Sequence, residues 1–435
     1  MSKLIAFIVF AAIFNIQVTL SPTSDENQVK RLLTIYTPAD GTNIDQNADG
    51  SLILTGERDT IRLWDATTLE EIYNRKHGQR LDGVLFNAAG DRFITWSNEI
   101  VHTWDTATGR LLGTLSIDSN VGYRGAMWHG DQVIDVLGGT INLWDGASPE
   151  NNHGFLVVGE NFNSYPGNAA WDHAQTHFLT WNAAGETVPM VRMWQVADDF
   201  ESASQTIAFE HGGDTSIYGA AWSPDETMIV SWSQDRVNIW DATNGALLHT
   251  VNMDSYLTHT YWSPNSRYVL VEDIREQEMR VWDAQTGEEV LTIPGTDAMW
   301  DTTGDRLLVG RVHPELVAVP SGESLAEFPS NFGLGYGRWN ADGVRLLVIS
   351  RASVQVWIIP PQDRCVVYAL SSANLRPEPR ADSNRSDILP PQRLATVIDH
   401  TIDADDFVWW QLENKLWVRS DVVEETGKCF PSADN

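Results

Sequence analysis

The dipeptide Trp-Asp recurs five times in this chain of 435 residues, each time at the end of a short β-like run. The tryptophans concerned are Trp64, Trp104, Trp144, Trp240 and Trp282. The first three follow one another at intervals of 40 residues. A fixed period of this size indicates a repeat architecture, and repeat arrays more often present a binding surface than a catalytic centre.

Three further units align with the five that carry Trp-Asp. Trp194 is followed by Gln195 in place of aspartate, and Trp357 is followed by Ile358. The segment Leu316–Glu323 occupies the same position without a tryptophan. The alignment therefore gives eight units, which end near residues 64, 104, 144, 194, 240, 282, 319 and 357.

Each unit contains four strand-like runs, and the fifth unit shows them most clearly. The first run ends in a large ring and a turn at Trp222–Asp225, and the second is Met228–Ser231. The third, Val237–Trp240, ends on the repeated tryptophan, and the fourth is Ala246–Thr250. The aspartate after the tryptophan can accept amides of the following turn, where glycine supplies a left-handed residue. Four short strands in each period are typical of a propeller blade.

The segments AAWSPDETMIVSWSQDRVNIWDATNGALLHT and DGSLILTGERDTIRLWDATTLEEIY resemble WD40 repeats, and the resemblance covers roughly residues 30 to 360. It implies a buried network of His, Ser or Thr, Asp and Trp in each blade. The fifth unit matches that pattern fully, through His211, Ser231, Asp235 and Trp240. The second unit matches it without the aspartate, through His77, Thr95 and Trp104.

The resemblance also implies how the ring closes. Arg31–Tyr36 is a strand without a blade of its own, and the last unit has no room for a fourth strand. In the family such a strand pairs with the last blade and leaves no open sheet edge. We therefore expect an all-β fold with an eight-bladed propeller over residues 29–360. A seven-bladed propeller with one fused irregular unit is the alternative.

Residues 1–20 differ in character from the repeats. The segment begins with Lys3 and is apolar from Leu4 to Ile16 apart from Asn15. This length is too short to span a bilayer but fits the apolar core of a signal peptide. The sequence predicts export, with an uncleaved N-terminal anchor as the alternative because no clear cleavage site precedes Ser21.

The C-terminal part holds both cysteines of the chain, Cys365 and Cys429. The segment between them resembles a bacterial SH3 (SH3b) domain through Asn374–Arg376, Phe407–Leu412 and Leu416–Arg419. We therefore expect a small SH3-like barrel over residues 365–430. A disulfide across the ends of so small a domain would stabilise it, and it fits an oxidising compartment.

Charge and motifs narrow the classes of function. The formal net charge is −30, from 59 acidic and 29 basic residues, which disfavours nucleic acid and anionic membranes as partners. The sequence lacks the Gly-x-Ser-x-Gly, phosphate-loop and His-Glu-x-x-His motifs. The run Asp45–Gly50 begins like a calcium loop but aligns with the turns of other units, and His173 and His177 lie on a hairpin. We predict no enzyme activity, no metal and no cofactor.

Three tryptophans on second strands are the binding candidates of the propeller. Trp96, Trp181 and Trp232 end at the face where the second-to-third-strand turns lie, so each could contact a partner or pack between blades. On the same face the loops Ala183–Pro189 and Glu272–Glu278 are long, which favours Glu272 and Glu276 as contacts. In the C-terminal domain the candidates are Trp409, Trp410 and Trp417, at least one of which must be core.

The primary hypothesis is a secreted or cell-surface, non-enzymatic scaffold. Its propeller would bind protein or peptide partners, and its SH3b domain would contact cell-wall peptide. The alternatives are a glycan-binding module and a propeller hydrolase acting on glycans or peptides. A hydrolase needs paired carboxylates at matching strand positions, and the repeats supply no obvious pair.

Overall fold

The computed structural model describes most of the chain between residues 30 and 429. The described ranges are 30–36, 42–66, 70–116, 126–129, 132–137, 140–145, 148–156, 169–174, 176–181, 188–197, 202–212, 216–253, 257–310, 314–328, 336–340, 343–350, 353–361, 363–391 and 393–429. The expected signal segment at residues 1–20 lies outside them, as does most of the long loop predicted at Ala183–Pro189. Among the described residues no helix is long and apolar enough to cross a membrane.

The described chain forms eight antiparallel sheets of four strands, numbered here in chain order. Strand β1 (Lys30–Tyr36) precedes the first sheet and belongs to the last. Sheet 1 contains β2 (Thr42–Gln46), β3 (Leu52–Glu57), β4 (Thr60–Asp65) and β5 (Glu71–Lys76). Sheet 2 contains β6 (Gly83–Phe86), β7 (Arg92–Trp96), β8 (Ile100–Asp105) and β9 (Leu111–Ser116). Sheet 3 contains β10 (Ala126–His129), β11 (Gln132–Leu137), β12 (Thr140–Asp145) and β13 (Ser148–Leu156). Sheet 4 contains β14 (Ala169–Trp171), β15 (His177–Trp181), β16 (Met190–Val196) and β17 (Ala203–Glu210).

The second half of the series repeats the same order of strands. Sheet 5 contains β18 (Ile217–Trp222), β19 (Met228–Ser233), β20 (Arg236–Asp241) and β21 (Leu247–Asn252). Sheet 6 contains β22 (Leu257–Trp262), β23 (Tyr268–Asp273), β24 (Glu278–Asp283) and β25 (Glu289–Pro294). Sheet 7 contains β26 (Ala298–Trp300), β27 (Arg306–Val309), β28 (Glu315–Ala318) and β29 (Ser324–Glu327). Sheet 8 contains β30 (Tyr336–Trp339), β31 (Arg345–Ser350), β32 (Ser353–Ile358) and β1.

The start of the chain completes the last sheet. Strand β1 runs antiparallel to β32, with Lys30 opposite Ile358 and Tyr36 opposite Ser353. It therefore fills the fourth position of sheet 8, as the repeat pattern predicts. The edge of β32 that would otherwise be open is paired, which removes a site for unwanted strand addition.

Apolar clusters join neighbouring sheets into one series. Buried side chains pack sheet 4 on sheet 5, 5 on 6, 6 on 7, 7 on 8, 8 on 1, 1 on 2 and 2 on 3. First-strand tryptophans add hydrogen bonds across three of these junctions, between sheets 2 and 3, 5 and 6, and 4 and 5. The indole N–H of Trp128 donates to the Leu85 carbonyl at 3.2 Å, and that of Trp262 donates to the Ala221 carbonyl at 3.2 Å. Trp222 donates in the same way to Ala170 at 3.1 Å.

First strands lie at the inside of the series and fourth strands at the outside. The first strands of neighbouring sheets contact each other, as β2 does β6 and β18 does β22. The outer strands β5 and β21 contain no buried residue. Because successive strands are antiparallel, each first strand begins at the edge where the second-to-third-strand turn lies. When the four strands of a sheet are lettered A to D in chain order, this edge carries the turns between strands B and C. We call it the BC rim; among the described residues it includes 58–59, 97–99, 234–235 and 274–277.

The turn after Trp104 and Asp105 shows why aspartate and glycine follow the repeated tryptophan. Asp105 Oδ1 accepts the backbone N–H of Thr108 at 2.8 Å. Gly109 has φ 63°, and a Cβ atom there would lie 2.7 Å from the ring of Tyr73 on the preceding sheet. The turn is held to that sheet by the Tyr73 hydroxyl, which donates to the Thr106 carbonyl at 2.6 Å. Only glycine meets both the left-handed conformation and the close approach.

Three members of the buried network expected from the WD40 resemblance lie together in the fifth unit, whereas the fourth, Asp235, is exposed and accepts the Ser233 hydroxyl at 3.2 Å. Ser231 Oγ accepts the indole N–H of Trp240 at 2.9 Å and lies 2.8 Å from His211 Nδ1. Burial lowers the pKa of His211 to about 4, an effect that the nearby Asp235 charge partly opposes. Asn238, which sequence reasoning missed, donates to the His211 carbonyl at 2.7 Å.

The same hydroxyl–indole bond recurs in other sheets. Trp64, Trp104 and Trp194 each donate at 2.9 Å to a second-strand threonine: Thr55, Thr95 and Thr180 respectively. In sheet 2 the threonine also contacts His77 Nδ1 at 2.9 Å. The network is therefore a repeated structural unit that links the second and third strands.

The C-terminal part forms a five-stranded sheet and a two-stranded sheet of its own. Its strands are β33 (Cys365–Tyr368), β34 (Ala373–Leu375), β35 (Asp387–Leu389), β36 (Leu394–Ile402), β37 (Val408–Leu412), β38 (Trp417–Arg419) and β39 (Glu424–Gly427), with a 3-10 turn at Ser420–Val422. The sheet order is β38-β37-β36-β33-β39, and β34 pairs with β35. The predicted disulfide is confirmed, since Cys365 and Cys429 are bonded across the two ends of this part. Val366 and Tyr368 pack on Val344 and Ile358 of sheet 8.

Candidate functional site

Two of the predicted binding tryptophans lie flat on glycines of the neighbouring strand. Trp96 is paired with Gly83, and Trp232 is paired with Gly219. A Cβ atom on Gly83 would lie 1.9 Å from the Trp96 ring, and one on Gly219 would lie 2.1 Å from the Trp232 ring. Both rings are half-buried and join the clusters between their sheet and the next. Packing between blades accounts for both positions, and a role in binding stays a prediction.

Trp181, the third member of that set, is 6% exposed and packs between sheets 4 and 5. Its indole nitrogen is buried and has no hydrogen-bond partner among the described residues. The position is therefore also accounted for by packing.

In sheet 6 the corresponding place is polar. His259 on the first strand and Glu272 on the second occupy the positions of Gly219 and Trp232 in sheet 5. They lie next to the pair formed by Thr260 and Val271, on the side of the BC rim. His259 Nδ1 is 3.4 Å from Glu272 Oε2. The His259 side chain is 61% exposed, whereas that of Glu272 is 13% exposed. In sheet 6 the pair formed by an exposed histidine and a mostly buried glutamate thus replaces the apolar Gly–Trp contact of sheet 5.

Aromatic rings extend this polar pair along the inner strands. The ring of Tyr261 lies parallel to that of His259, with centroids 6.0 Å apart and an interplanar angle of 13°. Tyr261 is 46% exposed, and Tyr218 on the first strand of sheet 5 is 40% exposed. Large rings on the other described inner strands are buried or half-buried, as Phe86 is buried in sheet 2. Tyr218 lies next to the BC rim, whereas Tyr261 lies towards the opposite end of β22. The exposed rings therefore mark the inner strands of sheets 5 and 6.

Asp297 brings a second carboxylate from sheet 7. It lies directly before β26, has φ 58°, and its carbonyl accepts the Gly310 N–H at 2.8 Å. Burial raises the pKa of Asp297, the Glu272 charge raises it further, and His259 lowers it. We call His259, Tyr261, Glu272 and Asp297 the His259 cluster. Its carboxylates come from β23 of sheet 6 and from the residue before β26 of sheet 7, and Glu272 Oε2 lies 3.4 Å from His259 Nδ1.

The turn beside the cluster carries the other predicted carboxylate. Glu276 is exposed between β23 and β24, and its backbone N–H donates to Asp273 Oδ1 at 3.0 Å. The segment from residue 272 to 278 holds four acidic residues and Arg275. The structure thus places Glu272 in the cluster and Glu276 on the adjacent turn. Among the described residues no group of three or more His, Cys, Asp or Glu side chains is placed to hold a metal ion.

The three candidate tryptophans of the C-terminal part differ in exposure. Trp409 is 1% exposed and donates to Asp403 Oδ2 at 2.7 Å. Trp410 is 3% exposed and donates to Glu425 Oε1 at 2.9 Å. Both rings are core residues of this part, so neither offers its face to a ligand. Trp417 is half-buried and is the ring of the three that solvent reaches.

Sequence reasoning missed His259, Tyr261 and Asp297. The available signal was the alignment of the first strands, because a position that is glycine in sheets 2 and 5 becomes histidine in sheet 6. Asp297 gave no such signal, since its approach to Glu272 depends on how two sheets pack.

Comparison with known proteins identifies the fold. No protein-family model matches the sequence, and no curated protein matches it. The C-terminal WD40 domain of Sif2 matches with a TM-score of 0.59 and 16% identity, over 78% of this chain and 100% of that one. A chain of the mitotic checkpoint complex matches with a TM-score of 0.50 and 13% identity, over 81% and 99%. At these identities the likeness shows the fold alone, which is a WD40-like β-propeller.

Proposed function

We propose that this chain is an exported, non-enzymatic interaction scaffold that binds a protein or peptide partner at the BC rim. The eight sheets would be the blades of one closed ring over residues 29–360, and residues 365–430 would form an SH3-like domain. Residues 1–20 would direct export or serve as an anchor. The C-terminal domain would add a second contact, with cell-wall peptide as its ligand.

The observation that carries the proposal is the set of exposed rings and carboxylates on the inner strands of sheets 5 to 7. Tyr218 on β18 and Tyr261 on β22 are exposed. Glu272 lies near the BC-rim end of β23, and Asp297 directly precedes β26. Exposed aromatic rings next to charged groups are the usual anchors of protein interfaces. At Gly83 in sheet 2 and at Gly219 in sheet 5, by contrast, an indole ring packs on the glycine and fills the space beside it.

Export is supported by the disulfide and by the N-terminal sequence. A disulfide between Cys365 and Cys429 persists in an oxidising compartment. The net charge of −30 favours a soluble scaffold with basic rather than acidic partners.

The test is capture of a partner by the full-length exported protein from the envelope of its own cells. Changing Tyr218 and Tyr261 to alanine should abolish capture, because the inner strands next to the rim lose both exposed rings. The matched control is Leu248→Ala, which removes an exposed side chain from the outer strand β21 and should leave capture unchanged. Equal capture by all three proteins would overturn the proposal.

A glycan-binding module is the second candidate, because exposed tyrosines also stack on sugar rings. Saturable binding of purified peptidoglycan glycan strands, lost in the Tyr218 and Tyr261 variant, would favour it over a protein partner. Release of sugar or peptide fragments during the same incubation would instead favour a hydrolase.

A further inference from the structure

We propose that Asn384 in the C-terminal part carries an N-linked oligosaccharide. Asn384 is followed by Arg385 and Ser386, so a hydroxyl residue stands two places after the asparagine and the residue between them is not proline. It is the only asparagine of the sequence with Ser or Thr in that place. This pattern marks acceptors of N-linked glycosylation in exported proteins. The proposal therefore rests on the export that is part of the proposed function.

The acceptor segment lies on a loop. Strands β34 and β35 pair with Leu375 opposite Asp387, and residues 376–386 connect them. Asn384, Arg385 and Ser386 are all exposed, and none of them belongs to a strand. A transferase must reach the asparagine and the hydroxyl together, which requires a surface segment outside the core. The loop therefore leaves both groups accessible in the folded protein.

The loop is fixed on either side of the acceptor while the acceptor itself is free. Ser383 is buried, and its carbonyl accepts the Arg376 guanidinium. On the other side the Ser386 N–H donates to the Leu375 carbonyl at 2.9 Å. Between these anchors the Asn384 side chain forms no hydrogen bond with any residue of the described chain. Its amide nitrogen is therefore available for reaction.

An oligosaccharide at this position disturbs no core contact. Leu375 and Leu389, on the two paired strands, belong to the apolar cluster of the C-terminal part and are 3% and 4% exposed. Asn384 lies outside this cluster and is exposed. Because a glycan is bulky and polar, it fits a surface loop of this kind and would be excluded from the strands beside it.

The reaction needs one co-reactant, an oligosaccharide joined through C1 of its first sugar to a polyprenyl pyrophosphate. The Asn384 amide nitrogen attacks C1 and forms the new N–C bond. The C1–O bond to the pyrophosphate breaks, and the lipid pyrophosphate leaves with the bonding electron pair. The amide loses one proton to a base of the transferase, which belongs to the export pathway. The Ser386 hydroxyl, which can donate and accept a hydrogen bond, is the group by which the transferase recognises the segment.

The experiment is mass spectrometry of the intact full-length protein, purified from outside the cytoplasm of its own cells. We expect the wild type to exceed the Asn384→Gln variant by the mass of one oligosaccharide, and fragmentation should place that mass on Asn384. Ser386→Ala keeps the asparagine and should lose the whole added mass. Ser386→Thr should keep the added mass, because threonine carries the same hydroxyl.

The matched control is Asn374→Gln. Asn374 is exposed on β34 and is followed by Leu375 and Arg376, so its replacement should leave the added mass unchanged. The amount of each variant outside the cytoplasm shows whether it folds and is exported. If a variant does not accumulate there, the fragmentation of the wild type decides the proposal.

Three results would overturn the proposal alone. They are an exported wild-type protein without added mass, added mass on a residue other than Asn384, and added mass that persists in the Ser386→Ala variant. Retention of the wild type inside the cytoplasm would instead contradict the exported scaffold and the glycan together.

Discussion

Replacing Ser231 with alanine should destabilise the propeller measurably, because one hydroxyl connects two strands of sheet 5 and the histidine that precedes them. Ser231 is fully buried, accepts the Trp240 indole N–H at 2.9 Å and lies 2.8 Å from His211 Nδ1. Alanine leaves the indole N–H buried without an acceptor, which costs about 1–3 kcal/mol. Loss of the bond to His211 adds about 1 kcal/mol, because Asn238 still holds that histidine through its carbonyl. We therefore expect a loss of about 2–4 kcal/mol in the free energy of unfolding.

The measurement is urea unfolding followed by tryptophan fluorescence. Ser231→Thr is the matched variant, since threonine makes the same bond from Thr55, Thr95 and Thr180 in other sheets. It should lose less than about 1 kcal/mol, the cost of one extra methyl group. Ser216→Ala, at an exposed position before β18, should have no effect. An alanine variant within about 0.5 kcal/mol of the wild type, or a threonine variant as unstable as the alanine one, would refute the network as a stabilising unit.

Three further predictions concern the same scaffold. Burial lowers the pKa of His77 and of His211 to about 4 from 6.5, so unfolding takes up protons below pH 6.5. The free energy of unfolding should therefore fall as the pH drops from 6.5 towards 4, by about 2 kcal/mol per histidine at about pH 5; a flat urea-unfolding profile over this range would contradict the assignment. Gly219→Ala places a Cβ atom 2.1 Å from the Trp232 ring and should lower the thermal midpoint, at a cost of about 1–3 kcal/mol; an unchanged midpoint would show that the ring moves freely. Cys429→Ser opens a loop with a sequence separation of 64 and should destabilise the C-terminal part by about 4 kcal/mol in the loop-entropy account; limited proteolysis should then cut that part first, and equal resistance would refute the account.

Much of the propeller could be predicted because its determinants are local in sequence. The Trp-Asp turn needs an aspartate that accepts nearby amides and a glycine with positive φ, as at Asp105 and Gly109. Both requirements leave a pattern that repeats at a fixed interval. The pairing of β1 with β32 is long-range, but the repeat made it predictable, because one strand is left over before the first unit and the last unit lacks its fourth strand.

The site was harder to predict because its geometry depends on neighbours that are distant in sequence. Whether Trp96 and Trp232 are exposed depends on the glycines opposite them, Gly83 and Gly219, which become visible only when the register is known. Trp409 and Trp410 are adjacent in β37, yet both rings are buried, and each indole N–H reaches a carboxylate nearer the surface, Asp403 and Glu425 respectively.

Glu272 was chosen from the sequence for the length of its loop, whereas its place in the structure depends on other contacts. It faces His259 across β22 and β23 and acts on Asp297 across a sheet junction. No local pattern encodes the approach of two sheets at that point. Loop length therefore selected the rim next to which Glu272 lies without identifying the residues that surround it.

Oxidative footprinting of the captured complex tests the central claim most directly, since it reports which side chains the partner covers. The account predicts that Tyr218 and Tyr261 become protected, while Ile72 and Leu248 on outer strands react as in the free protein. Protection of the outer strands with unchanged reactivity at both tyrosines would contradict the assignment of the BC rim as the binding surface.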